Sequence, residues 1–119
     1  MASKKVKEEL ERKFETGATR NPDVQPDYEG FFSSLAVRRY GEYMHKNRFR
    51  PSGEFRDSDN WQLGIPRSSY MKSMWRHLLD VWLEFRGYKS RDGIEDALCA
   101  IIFNAQGYLH EVLKGKGPK

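Results

Sequence analysis

Arg76, His77, Asp80 and Glu84 bring a guanidinium, an imidazole and two carboxylates into one short stretch. His77, Asp80 and Glu84 stand at i, i+3 and i+7, which is one side of a 3.6-residue helix, so a single divalent ion could meet all three. The same spacing equally describes a solvated face with Arg76 and Asp80 paired four residues apart. A second group follows at Glu95 and Asp96, with Asn104 further on in an otherwise apolar run. Glu95 and Asp96 suit a metal, but they also suit a helix start, where carboxylates cap free N–H groups and oppose the helix dipole. An amide such as Asn104 among apolar residues must find partners, either on a neighbouring helix or on a ligand's base or ribose.

Two irregular stretches supply the remaining candidates. Asn60 and Trp61 lie in FRPSGEFRDSDNWQLGIP, residues 49–66, where a large aromatic either pins the loop to the core or stacks on a ligand. TGATR at 16–20 offers a hydroxyl, backbone N–H groups and Arg20 to a phosphate, without the spacing of a P-loop. Arg39 and Tyr40 join them from a helix between the two stretches. No GxSxG, HExxH, CxxC or Walker pattern occurs, so nucleophilic hydrolysis and zinc-protease chemistry lack their usual marks. Arginines, aromatics and an amide together suit a nucleotide: guanidinium for phosphate, ring for base, amide for a polar edge.

The elements that position these groups are read from periodicity. Met71, Trp75, Leu78, Trp82 and Phe85 recur at steps of four and three, which predicts a helix over 67–86 with that stripe as its core face. Residues 93–113 are apolar around most of the circumference, which predicts a central helix covered on several sides. GYKSRDG at 87–93 separates the two with a C-terminal glycine and an Asp92/Glu95 capping pair, giving an antiparallel hairpin. Upstream, Ser33 or Ser34 caps a helix running to about Phe49, with Leu35, Ala36, Tyr40, Tyr43 and Met44 as its buried side. Ser68 and Ser69 serve as caps for the 67–86 helix. Residues 3–14 read as a short solvated helix, 15–30 as an extended loop, and 114–119 as a polar tail. The expected architecture is all-α: a bundle of three or four helices built on a long hairpin. Residues 1–32 form an N-terminal segment before a helical domain at 33–113.

Composition narrows the class. A chain of this length forms one domain with a modest core, so burial between identical subunits is expected. The formal charge of +4 comes from 21 basic and 17 acidic residues that are intermixed, which argues against a polynucleotide surface. The one cysteine, Cys99, falls inside the apolar helix and acts as a small hydrophobe. The longest apolar run, ALCAIIF, is far short of the ~20 residues that span a bilayer, and the opening residues lack the pattern that would lead one to expect secretion. A cytoplasmic setting without membrane contact is expected.

Several stretches together resemble a known family. RRYGEYMHK at 38–46, DNW at 59–61 followed by Gly64, RHLLD at 76–80 and ALCAIIFNAQGYL at 97–109 are similar to small, mostly phage-encoded dATP/dGTP diphosphohydrolase-like domains. FETGATR and DYEGF upstream extend the likeness over most of residues 14–113. These domains are distantly MazG-like, all-α nucleotide pyrophosphohydrolases. The resemblance implies ligand contacts from Asn60, Trp61, Arg76, His77 and Asn104, and a bacterial cell infected by phage as the setting. The ExxE and ExxD pairs that hold magnesium in MazG-type enzymes have no recognisable counterpart here. Glu84, Glu95 and Asp96 are the available substitutes for Mg²⁺ or Mn²⁺. Two functions are therefore expected in order: binding of a purine-nucleotide-type ligand without breaking it, as in sequestration of a nucleotide or nucleotide signal, and metal-dependent diphosphohydrolysis. A DNA-associated or structural phage protein is a third.

Overall fold

The structure is a computed structural model that describes residues 11–116. It is mostly helical, and the described residues fall into two compact units that divide after Ser33. In the first unit Arg12–Lys13 (β1) pairs antiparallel with Thr19–Arg20 (β2), and Tyr28–Phe31 (α1) forms one helical turn. The expected helix at 3–14 lies mostly outside the described residues, and its described end is strand rather than helix. The stretch expected as an extended loop holds the returning strand and α1. The physical reason is local: Gly17, at φ 93°, takes the left-handed turn that folds residues 14–18 back on themselves, with its N–H donating to Phe14 O. Asp27 then caps α1 by accepting from Gly30 N at 3.0 Å.

The second unit holds Ser34–Lys46 (α2), a 3₁₀ turn at Asn60–Leu63, Arg67–Phe85 (α3) and Ile94–Lys114 (α4). α2 stops before the expected Phe49. α3 and α4 form the antiparallel hairpin that periodicity predicts. Gly87, at φ 90°, ends α3: Gly87 N donates to Glu84 O and Tyr88 N to Leu83 O, the paired bonds of a Schellman cap. The expected N-caps are not those used. α3 starts from Pro66 and α4 from Gly93, neither with a side-chain cap bond. Ser68 and Ser69 lie inside the first turn of α3, and Glu95 is drawn away from a capping role by Arg39.

The face that α3 turns to α4 overturns the expectation drawn from its apolar stripe. Tyr70 and Asp80 are the buried residues of α3, and Ala97, Cys99, Ala100, Asn104 and Gly107 those of α4; Tyr70 lies against Gly107, and Ser73 accepts from Asn104 across the two helices. Met71, Trp75, Leu78, Trp82 and Phe85 are instead exposed, Trp75 by 66% and Phe85 by 80%. The polar row is inside because α4 offers small residues there, so the helices approach closely around side chains that pair with one another. α2 also buries less than its pattern suggests. Leu35 and Ala36 are exposed, Tyr40, Tyr43 and Met44 are half-buried, and α2 is held to α4 by ion pairs as much as by packing.

Candidate functional site

The inward polar row of α3 is a self-contained network. Asp80 accepts from Arg91 Nη2 at 2.6 Å, and His77 Nδ1 stands 3.7 Å from the same carboxylate. Arg91, on the turn after α3, replaces the Arg76 partner expected from the four-residue spacing. Its guanidinium holds Asp80 below the usual carboxylate range against the cost of burial. Burial and the Arg91 charge lower the His77 pKa, so the imidazole is neutral near pH 7. Glu84 accepts from Ser90 N and Ser90 Oγ, and Ser90 Oγ in turn accepts from Gly93 N. This chain of bonds fixes the 87–93 turn.

The proposed metal ligands do not converge. Glu84 is engaged at the turn, whereas Glu95 and Asp96 both accept from Arg39, at 2.7 and 2.6 Å, and Asp96 also from Lys46 at 2.5 Å. Among the described residues no three His, Cys, Asp or Glu side chains are grouped as a metal would require. Arg39 and Lys46 lower the Asp96 pKa, the Lys46 bond most. This cluster therefore docks α2 onto the first turn of α4. Arg39 is spent there, and Tyr40 donates to Gln106 Oε1 at 2.9 Å. Asn104 is also spent: its amide donates to Ser73 Oγ of α3 and to Ala100 O, joining the two helices in the buried core. Arg20 lies in the β ribbon opposite Arg12, exposed. Arg76 is exposed on α3.

Of the expected ligand contacts, Asn60 and Trp61 line a cleft, and its other walls are residues the sequence reading did not single out. The cleft holds about 690 Å³ between the end of α2, the segment 47–61 and Phe103 of α4. Trp61 stands edge-on to His110 at 4.9 Å and to Phe103 at 6.3 Å. It thus both pins the segment to α4 and presents its ring to the cleft. Opposite, RFRPSGEFR at 48–56 folds into a small hairpin. Gly53 N donates to Arg50 O, Arg50 N to Glu54 O and Arg56 N to Arg48 O, with Gly53 in the left-handed region at φ 90°. Phe49 and Phe55 bridge across it, their rings edge-to-face at 5.3 Å.

That hairpin aligns Arg48 and Arg56 at the cleft wall. Arg48 Nε donates to Arg56 O at 2.7 Å and Arg56 Nη1 to Asn47 O at 3.0 Å. Each guanidinium is thereby held in place by a backbone carbonyl, and among the described residues neither is paired with a carboxylate. Most N–H donors of both remain available, beside His45, which stacks on Phe55. Asp57 and Ser58 add a carboxylate and a hydroxyl to the lining. The signal that could have marked these arginines is the near-palindrome R-F-R-PSG-E-F-R. It pairs Arg48 with Arg56 across the turn as surely as it pairs the two phenylalanines. Arg76 and His77 do not line the cleft, since Arg76 faces away on α3 and His77 belongs to the Asp80 network.

No helix among the described residues is long and apolar enough to cross a membrane. No family model, curated protein or solved structure matches this chain.

Proposed function

We propose that the cleft between α2, the 48–56 hairpin and Trp61 binds a small anionic ligand carrying an aromatic ring, of the purine-nucleotide class, and holds it without cleaving it. The observation that carries this reading is the pair Arg48 and Arg56, two guanidiniums fixed by backbone carbonyls and, among the described residues, without carboxylate partners, in a cleft that an indole ring also lines. Phosphate oxygens accept from such guanidiniums in charge-assisted bonds, and a base can lie against Trp61 or His45. Asn60 and Ser58 supply donors and acceptors for a base edge or a sugar. The volume is in the range of pockets that take ligands of nucleotide size. The engagement of Glu84, Glu95 and Asp96 elsewhere is what favours holding over hydrolysis. The reading keeps the setting implied by the family resemblance: a bacterial cytoplasm during phage infection, with the ligand withdrawn from use.

The test is calorimetric titration with purine nucleoside mono-, di- and triphosphates and cyclic forms, in Mg²⁺ and in chelator, followed by denaturation and chromatography of the released ligand. Binding of at least one nucleotide in chelator, with the ligand recovered intact, is the expected result. Absence of binding across the set would sink the proposal. Recovery of monophosphate and pyrophosphate, abolished by chelation or by Glu95→Gln, would replace it with metal-dependent hydrolysis.

A further inference from the structure

We infer that the outer face of the α3–α4 hairpin is the seam on which a second copy of this chain docks, completing a four-helix core. Two stripes make up this face. On α3, Met71, Trp75, Leu78, Trp82 and Phe85 step by four and three; on α4, Leu98, Ile102, Ala105 and Leu109 do the same, with Leu113 beyond. Each stripe is turned roughly 145° from the row that faces the other helix, in the same rotational sense along the chain. Because the helices run antiparallel, equal turns in that sense carry both stripes to the same side of the hairpin. Between the stripes on that side lie Met74 and Val81 of α3 and Ile101 and Tyr108 of α4, all half-buried, so the side is apolar across both helices.

The size and spacing of the surface select its occupant. Trp75, Trp82 and Phe85 are 66, 59 and 80% exposed, and Met71, Leu78, Leu98, Ile102, Leu109 and Leu113 between 42 and 56%. With typical side-chain areas these add to on the order of 700–900 Å². That exceeds the ~300–600 Å² of the largest apolar patch on an ordinary monomer and matches the ~800 Å² each partner gives to a standard interface. A 4–3 repeat on both helices is the spacing by which one hairpin's side chains seat between those of another in a four-helix bundle.

The need for cover is also permanent. Among the described residues the fully buried apolar side chains are Tyr70, Ala97, Cys99 and Ala100. No buried Leu, Ile, Phe or Trp holds the hairpin together. A cover present whenever the chain is folded, as another copy of itself is, meets that need, whereas an occasional partner does not. The cleft stays open in such a dimer, because Phe103 lies about 120° around α4 from the seam.

Sedimentation equilibrium and light scattering of the full chain at roughly 1–100 μM test this directly. The expected result is twice the 14.0 kDa chain mass, and a melting temperature that falls on dilution. Trp82→Arg and Leu98→Arg, both exposed in the single chain, are each expected to abolish the dimer and to lower the melting temperature. A monomeric wild type at ~50 μM would overturn the inference. So would a dimer that survives both substitutions with unchanged stability. If a variant fails to fold, the mass and dilution behaviour of the wild type still decide. A monomer that co-sediments with phosphatidylserine vesicles but not with phosphatidylcholine would assign the face to a membrane instead. Nucleotide titration of the same samples reads the cleft separately, so either proposal can fail alone.

Discussion

The ring of Tyr70 occupies the space that any side chain at residue 107 would need. A Cβ built on Gly107 would lie 2.2 Å from Tyr70 Cζ and 2.5 Å from its Oη. The glycine is there for room, since no positive φ requires it. Gly107→Ala is therefore expected to cost at least ~1–3 kcal/mol of stability, the usual range for forcing a methyl into packed surroundings. Thermal melts of Gly107→Ala, Tyr70→Leu and the double variant check the origin of that cost. The double variant should lose clearly less than the sum of the singles; strict additivity would show that the ring is not what excludes the methyl.

The Tyr70 hydroxyl is buried with no hydrogen-bond partner. Removing it takes away a desolvation cost and leaves the ring contacts with Phe103 intact. Tyr70→Phe should thus be neutral or more stable by up to ~1 kcal/mol in a denaturant titration. A loss of stability would mean that the hydroxyl is paired in solution.

Alkaline loss of stability follows from the phenols. Burial raises the Tyr70 and Tyr43 pKa and pushes Tyr40 up to about 12. Each raised phenol contributes stability that is full below the ordinary value near 10 and is lost as pH rises through the folded value. Melts between pH 9 and 12 should show this loss, and Tyr40→Phe should shrink it.

The acid side runs through His77, Asp80 and Asp96, all with lowered pKa. A lowered folded value means that the unfolded chain binds the proton more readily, so stability is full above the unfolded value and is lost as pH falls through the folded one. His77 therefore begins the loss below about pH 6.5, and the two aspartates continue it below about pH 4. Asp80→Asn should lower stability at pH 7 and flatten the part of the curve below pH 4. An unchanged acid limb would remove Asp80 from the account.

The arginines separate the cleft from the rest of the surface. Arg48→Ala is expected to weaken nucleotide binding by ~1.5–3 kcal/mol, tenfold or more in affinity, with helical circular dichroism retained. Arg76→Ala should leave affinity within error, because that side chain stands on α3 outside the cleft lining. The reverse pattern would return the site to the arginine–histidine pair of α3.

Much of the architecture was legible in the chain because it depends on short-range rules. The 4–3 recurrence from Met71 to Phe85, the apolar run from Ala97 to Leu113 and Gly87 between them specify two helices and a reversal whatever surrounds them. Asn60 and Trp61 were also legible as candidates, since an indole in a polar irregular stretch needs a tertiary reason, and both line the cleft. Periodicity reports which residues share a side of a helix, not what that side meets. For α3 the more apolar side is the one its pattern predicts as core, yet Asp80 is buried and His77 and Glu84 are half-buried beside it. Asp80 is satisfied by Arg91 and Glu84 by Ser90, both brought in by the turn.

The site was divided along the same line. The sequence by itself determined the helices, the hairpin and the residue types able to hold an anionic aromatic ligand, because backbone periodicity and side-chain chemistry are properties of neighbouring residues. Only the tertiary structure decided that Arg39, Tyr40, Asn104, Glu84, Glu95 and Asp96 are spent on one another and on adjacent elements. It likewise decided that Arg48 and Arg56, eight residues apart across a Pro-Ser-Gly turn, come to the cleft wall instead. Those outcomes turn on which donors and acceptors meet across tens of residues, as Arg39 meets Asp96. A charged group goes where its desolvation is compensated, and that place exists only once the chain has folded.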